Sequence, residues 1–288
     1  MPAKPRTYQP QKVSAALLAQ NEALRAVVHR LTAADLDRPT RLGSWRVREL
    51  LAHLSLALGG LPAAVGDRAA DGPVPGEAMA GPDGPVPVGP VLSLAGYAEL
   101  SRTMAGAVDA AVTASTATGF AGPPEGVAAA FDRPLDAVRA ALDRLAAADP
   151  GRRTAVVVGR PMLLTDYLVT RLVEAVVHAD DLADALGPDA FPHDRQAVAA
   201  VTRMLADAFA DRAPGGAVEL RIPPYAVVQA VEGPRHTRGT PPNVVETDPL
   251  TWIRLATGRT DWAAAVDAAA VSASGERSDL RAHLPVFG

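Results

Sequence analysis

Two histidines and a glutamate are the groups in this chain best suited to share an ion. Over residues 167–182, Tyr167, Arg171, Glu174, His178 and Asp181 follow one another at spacings of four, three, four and three. On a helix that series forms one polar stripe, and nearly all the positions between are Leu, Val and Ala. The stripe has two physical readings. Either it is the wet face of an ordinary amphipathic helix, or the helix is buried all round and the row points inward. In the second case its ionisable groups need partners or a metal. Glu174 and His178 lie one above the other, close enough to hold one ion together. Composition alone predicts about 0.2 Glu/His pairs at this spacing, yet two occur, the other being Glu49/His53. His53 sits among Leu50, Leu51 and Leu54, where a histidine by itself is more often a hydrogen-bonded core residue than a ligand. Taken together, His53, Glu174 and His178 make a two-His, one-carboxylate set with positions left open for water or substrate. That set suits catalytic zinc. It also matches the facial triad of non-haem iron, so the ligand types leave the metal open. Asp181, one turn beyond His178, is either the group that orients a ligand imidazole or simply a charge near a helix end.

The elements that must position these residues can be read from periodicity. Leu17, Leu18, Leu24, Val28 and Leu31 give a first helix over 13–31. Ser44 is expected to cap a second helix bearing Val47, Leu50, Leu51, Leu54 and Leu58, which ends near Gly59-Gly60. Residues 66–90 are dense in Pro and Gly and predict a long loop, a candidate lid for an open metal site. Further helices are expected over 92–114, 127–148, 161–186 and 194–212, the third of these closed by Gly187. The pattern then changes. Segments 217–222, 226–231, 243–246 and 271–274 have strand character, and 249–257 and 262–269 read as short helices. Strands mixed with short helices after some two hundred helical residues indicate an α+β chain of two domains, a helical bundle over 1–213 and a small α/β domain over 214–288.

Composition narrows the function classes. A net charge of −4 gives no basic field for nucleic acid. The chain has no apolar run long enough to span a membrane and begins with no signal-like stretch, so a cytoplasmic location is expected. The absence of cysteine removes disulfides, thiolate ligands and cysteine nucleophiles. Any metal is therefore held by His, Asp or Glu, and any thiol chemistry borrows its thiol.

The segment Leu42-Gly-Ser-Trp45-Arg-Val-Arg-Glu-Leu-Leu-Ala-His53-Leu resembles the second-helix motif of the DinB-like family, and in particular of mycothiol-dependent maleylpyruvate isomerases. Residues 174–187, from Glu174 through His178 and Asp181 to Gly187, are similar to that family's second metal motif. Gly233-Pro-Arg-His-Thr-Arg238-Gly, Glu246-Thr-Asp-Pro-Leu-Thr-Trp252 and Ala273-Ser-Gly275 resemble a sterol-carrier-like C-terminal domain. The resemblance implies a DinB-like four-helix bundle followed by a sterol-carrier-like α/β domain. It implies Zn2+ held by His53, Glu174 and His178, and mycothiol as a low-molecular-weight thiol acting on a small-molecule electrophile in an S-transferase or isomerase reaction. It also implies that Arg238 contacts an anionic substrate; from its spacing, Asp181 is the other candidate catalytic residue, as the group that would orient His178. Two alternatives stand beside this expectation: a non-enzymatic carrier of an apolar ligand, and a bundle recruited to another metal-assisted reaction such as a lyase or cyclase step. The 66–90 segment and the C-terminal motifs depart from the isomerases, which leaves maleylpyruvate itself doubtful as substrate. Glu49 is expected to stay off the metal. Trp45, Trp252 and Trp262 are expected to be packing anchors.

Overall fold

The computed structural model describes residues 7–64, 90–101, 103–145, 153–155, 160–187, 193–233 and 241–287. These form two compact units. One comprises residues 8–93 and 104–197; the other takes 94–103 and 198–288 together with the first seven residues.

The first unit is a four-helix bundle. Its helices are α1 (Pro10–Val28), α3 (Val47–Gly59), α7 (Pro124–Leu145) and α8 (Leu164–Leu186), with the short α2 (Ala33–Leu36) and α4 (Leu61–Ala64) beside α3. Helix α1 packs on α7 and α8, and α3 packs on the same two, so each helix has two neighbours. The apolar spacing explains the arrangement. Val127, Phe131, Leu135, Val138 and Leu142 bury one stripe of α7, and Val47, Leu50, Leu51, Leu54 and Leu58 bury one stripe of α3.

Several element boundaries differ from expectation, the first helix lying three residues earlier than read and α7 starting three residues earlier, and three of the differences have a clear local reason. Ser44 does not cap α3. Pro39 bridges Arg46 and Thr40 N–H bonds to the Trp45 carbonyl, so Ser44 sits inside a closed turn with Gly43 at φ +62°. Arg46 is the capping position, and its N–H donates to Glu49 Oε2 at 2.9 Å. The helix expected over 92–114 is two, α5 (Leu94–Ser101) and α6 (Ala105–Ser115), and a π-turn over Thr116–Phe120 follows. The Thr103 hydroxyl and N–H both donate to the Leu100 carbonyl, which diverts the helical hydrogen-bond ladder there. Pro161–Leu163 is strand β2, not a first helical turn. It pairs antiparallel with β1 (Arg153–Ala155), and the Pro161 carbonyl accepts from Leu92 N–H.

The second unit is built on a four-stranded sheet, β3 (Val218–Ile222), β4 (Ala226–Ala230), β5 (Val244–Thr247) and β6 (Val271–Ser274), in the order β4-β3-β5-β6. Strands β3 and β5 are parallel and the other pairs antiparallel. Val218, Leu220 and Ile222 alternate inward along β3. Helices α10 (Pro249–Ala256) and α11 (Trp262–Asp267) connect β5 to β6, started by Asp248 and Asp261 caps. Helix α9 (Arg195–Arg212) contributes its residues from 198 onward to this unit, and Phe209 meets the buried Trp252 edge to face at 5.5 Å. No helix among the described residues is long and apolar enough to cross a membrane. The chain is thus α+β, a helical bundle followed by a small α/β domain.

Candidate metal centre

Helix α8 is buried on every side. From Leu164 to Ala183 only Asp166 and Glu174 are not fully buried. The wet-face reading of the polar stripe therefore does not hold, and the ionisable residues of α8 must be satisfied inside the bundle. Helix α3 packs on α8 and brings His53 to the same place.

The three ligand-type residues converge. His53 Nε2 lies 3.0 Å from Glu174 Oε2, and His178 Nε2 lies 3.3 Å from the same oxygen. The two imidazoles meet edge to face with centroids 4.5 Å apart. One ligand atom from each of His53, Glu174 and His178 lies within 4.8 Å of the others. Two neutral-capable nitrogens and one carboxylate oxygen at that separation fit a single divalent ion with room for exogenous ligands. In the metal-free geometry the carboxylate accepts from both rings instead.

The charges follow from these contacts. Burial alone would push the Glu174 carboxyl up, but hydrogen bonds from His178 and His53, with their positive charge, hold it well below the usual carboxylate range. Burial also opposes charge on His178. There the hydrogen bonds to Asp181 and Glu174 win, and the imidazole is raised. His53 goes the other way: burial lowers it, the neighbouring His178 lowers it further, and the single bond to Glu174 does not compensate. Burial raises the Asp166 carboxyl, two turns before Glu174 on α8.

Behind the triad lies a polar support. His178 Nδ1 is 2.8 Å from Asp181 Oδ2, and Asp181 is wholly buried. This is the geometry in which a carboxylate fixes the tautomer of a ligand imidazole and directs its other nitrogen to a metal. Arg41, in the segment before α3, donates through Nε to Asp181 Oδ1 at 2.6 Å and through Nη2 to Asp180 Oδ2. The sequence reading missed Arg41. The signal available was the Asp180-Asp181 pair itself, since two adjacent carboxylates on an apolar helix require a cation. Trp45 is more than a packing anchor. Its ring lies 5.3 Å from that of His53, and its Nε1–H donates to Asp109 Oδ1 on α6 at 2.8 Å. Arg171, also on the stripe, is buried over the Tyr167 ring and donates to the Ala57 carbonyl at 2.7 Å.

The other candidates fall elsewhere. Glu49 is occupied at the start of α3 and is not part of the triad. Arg238, His236 and almost all of the 66–90 segment lie outside the described residues. Trp252 and Trp262 are buried packing residues. His29 pairs with Asp132 at 2.9 Å on the bundle surface.

The fold and the inward triad define a class, four-helix bundles whose facing helices bring histidine and carboxylate side chains together in the core, where they could hold a metal. Within it, the chain belongs to the family of the mycothiol maleylpyruvate isomerase N-terminal domain, whose model matches residues 17–183. Residues 194–286 match the model described as bacterial SCP ortholog. Among solved structures, the mycothiol-dependent maleylpyruvate isomerase is similar over 94% of this chain and 95% of its own, with 14% identity and a TM-score of 0.60. A histidine-to-alanine mutant of that isomerase gives the same coverage and identity with a TM-score of 0.59. At 14% identity this likeness establishes the fold. No curated protein matches the chain.

Proposed function

We propose that this protein is a zinc-dependent enzyme that uses mycothiol to carry out thiol transfer or thiol-assisted isomerisation on a small electrophile. The observation that carries the proposal is the convergence of His53 and His178 on one Glu174 oxygen, with Asp181 behind His178. Membership of the mycothiol maleylpyruvate isomerase family supports the thiol. Bound at His53, Glu174 and His178, Zn2+ would supply Lewis acidity and keep a sulfur deprotonated at neutral pH. The chain's own residues do the rest. Asp181 accepts the Nδ1–H of His178 and so directs the Nε2 lone pair toward the ion. The Trp45 ring supplies an apolar wall beside His53 that excludes water from that side. The protein has no cysteine, so the reacting thiol comes from outside. Arg238 is assigned the role of anion contact for the substrate. We take residues 1–213 as the metal-binding domain and 214–288 as the sterol-carrier-like domain, acting in the cytoplasm with neither nucleic acid nor membrane as partner.

A second reading, carriage of an apolar ligand, is favoured by the match of residues 194–286 to the bacterial SCP model. One experiment separates the two: elemental analysis of the purified protein, followed by turnover assays on small electrophiles with and without mycothiol. About one zinc per chain and turnover that needs both zinc and thiol are the expected result. A protein that neither retains nor takes up metal, and binds lipid tightly, would establish the carrier instead.

A further inference from the structure

We infer that Arg41 is a positioning residue of the metal centre, acting on His178 through Asp181. The two oxygens of the Asp181 carboxylate are divided between two partners: Oδ1 accepts from Arg41 Nε at 2.6 Å, and Oδ2 from His178 Nδ1 at 2.8 Å. A carboxylate held at one oxygen alone can turn about its last torsion. Held at both, it fixes the direction from which it meets the imidazole. Arg41 also reaches Asp180 through Nη2, so its planar fork is anchored on two side chains of α8 at once. The cluster is sheltered. Asp180 and Asp181 are 3% and 0% exposed, and the Arg41 side chain is 20% exposed. Removing the guanidinium would take the Nε donor from Asp181 Oδ1 and the Nη2 donor from Asp180 Oδ2 inside this sheltered cluster. Asp181 could then swing toward other donors and release the ring.

Arg41 comes from the segment between α2 and α3, the same segment that carries Trp45 and leads into His53. The contact therefore ties the entry to one ligand helix to the body of the other. A guanidinium suits this post better than an ammonium, because the two acceptors sit on different side chains and need separate donors in a fixed plane. The inference rests on the proposed metal reading, since its consequence is the aim of His178 Nε2 at an ion.

The test compares Arg41→Gln, Arg41→Lys, Asp181→Asn and the Arg41→Gln/Asp181→Asn double variant, all in the full chain. Zinc affinity is measured by competition with a chromogenic chelator, and the ring nitrogens of His178 are observed by 15N NMR in metal-free protein. Arg41→Gln is expected to weaken zinc by about ten- to a hundredfold, as removing an outer partner of a metal-bound histidine does. It should also shift the His178 nitrogen resonances, with Arg41→Lys falling between it and wild type. The double variant should bind zinc no more weakly than Asp181→Asn alone, because both substitutions break one chain of contacts. A merely structural arginine predicts losses that multiply in the double variant and unmoved His178 resonances; either result overturns the inference. Unchanged zinc affinity in Arg41→Gln also overturns it, and if that variant does not fold, unchanged affinity in Arg41→Lys does so. Wild-type protein that takes up no zinc would remove the metal reading and this inference together, which sets that failure apart from the others.

Discussion

Glu174→Gln replaces the charge of one side chain and keeps its shape, so it isolates what the shared oxygen does. In the metal-free bundle Glu174 Oε2 accepts from His53 at 3.0 Å and faces His178 at 3.3 Å. A glutamine can set its amide oxygen in the Oε2 place, so both imidazoles keep an acceptor, but that acceptor is neutral and the two bonds lose their charge. A hydrogen bond to a charged group is worth about 1.5–3 kcal/mol, and burying an amide in place of a carboxylate returns part of that. The expected net loss is about 1–3 kcal/mol, a fall in Tm of about 2–12 °C for a unit of this size. Zinc enlarges the contrast. At a hundredfold excess over Kd, metal stabilises the wild type by about 2.7 kcal/mol, a rise of about 5–11 °C. If losing the carboxylate ligand weakens binding by more than about a hundredfold, the same zinc concentration raises the variant by under about 2 °C. The assay is far-ultraviolet circular dichroism melting with chelator and then with zinc. Equal zinc-induced shifts in the two proteins would show that Glu174 is not a ligand. A metal-free variant more stable than wild type would refute the hydrogen-bond accounting.

Four further outcomes are expected. Zinc affinity should rise with pH by about tenfold per unit until it passes the raised value of His178, because the proton on Nε2 competes with the ion; a flat profile in a chelator titration would contradict this. In metal-free protein, the stability contributed by Glu174 is present above its ordinary 4.5 and disappears as pH falls through its depressed value. That contributed by His178 is present below its ordinary 6.5 and disappears as pH rises through its raised value, whereas that of His53, which is lowered, is full above 6.5 and is lost as pH falls through its depressed value, so denaturant melts should be most favourable near 6.5. Glu49→Gln should keep zinc affinity while costing about 1 kcal/mol of helix capping, and Phe131→Ala, at 0% exposure, should cost about 3–5 kcal/mol without changing zinc affinity.

Much of the fold was legible because it rests on period and punctuation. The α8 and α9 ends at Leu186 and Arg212, and the start of each strand in the β3–β6 sheet, fall within one residue of the sequence reading. Errors came where a hydrogen bond outside the pattern decided the backbone. Ser44 has the right side chain for a cap, but the pairing of Pro39 with Arg46 encloses it in a turn. Pro161 has the right residue type for a first helical turn, yet its carbonyl serves Leu92 and its strand serves β1. Propensity cannot register a partner seventy residues away.

The site divides along the same line. His53, Glu174 and His178 could be nominated because two of them share a helix face and each lies in a motif. Asp181 could be placed one turn from His178 by the same count, but which of its two readings applied depended on whether α8 is wet or buried. Burial decides it: on a buried helix a carboxylate beside an imidazole has no water to fall back on and must take the Nδ1–H. Arg41 was invisible to spacing, since 140 residues separate it from Asp181. Charge balance could still have called for it. Once α8 is taken as buried, it carries Glu174, Asp180 and Asp181 against Arg171 and His178, and Arg171 lies more than two turns before the two aspartates. Two neighbouring aspartates at the far end then require a cation from another segment, and one with a forked donor set. The turn that leads into His53 is where such a cation also fixes the second ligand helix, and that is where Arg41 stands.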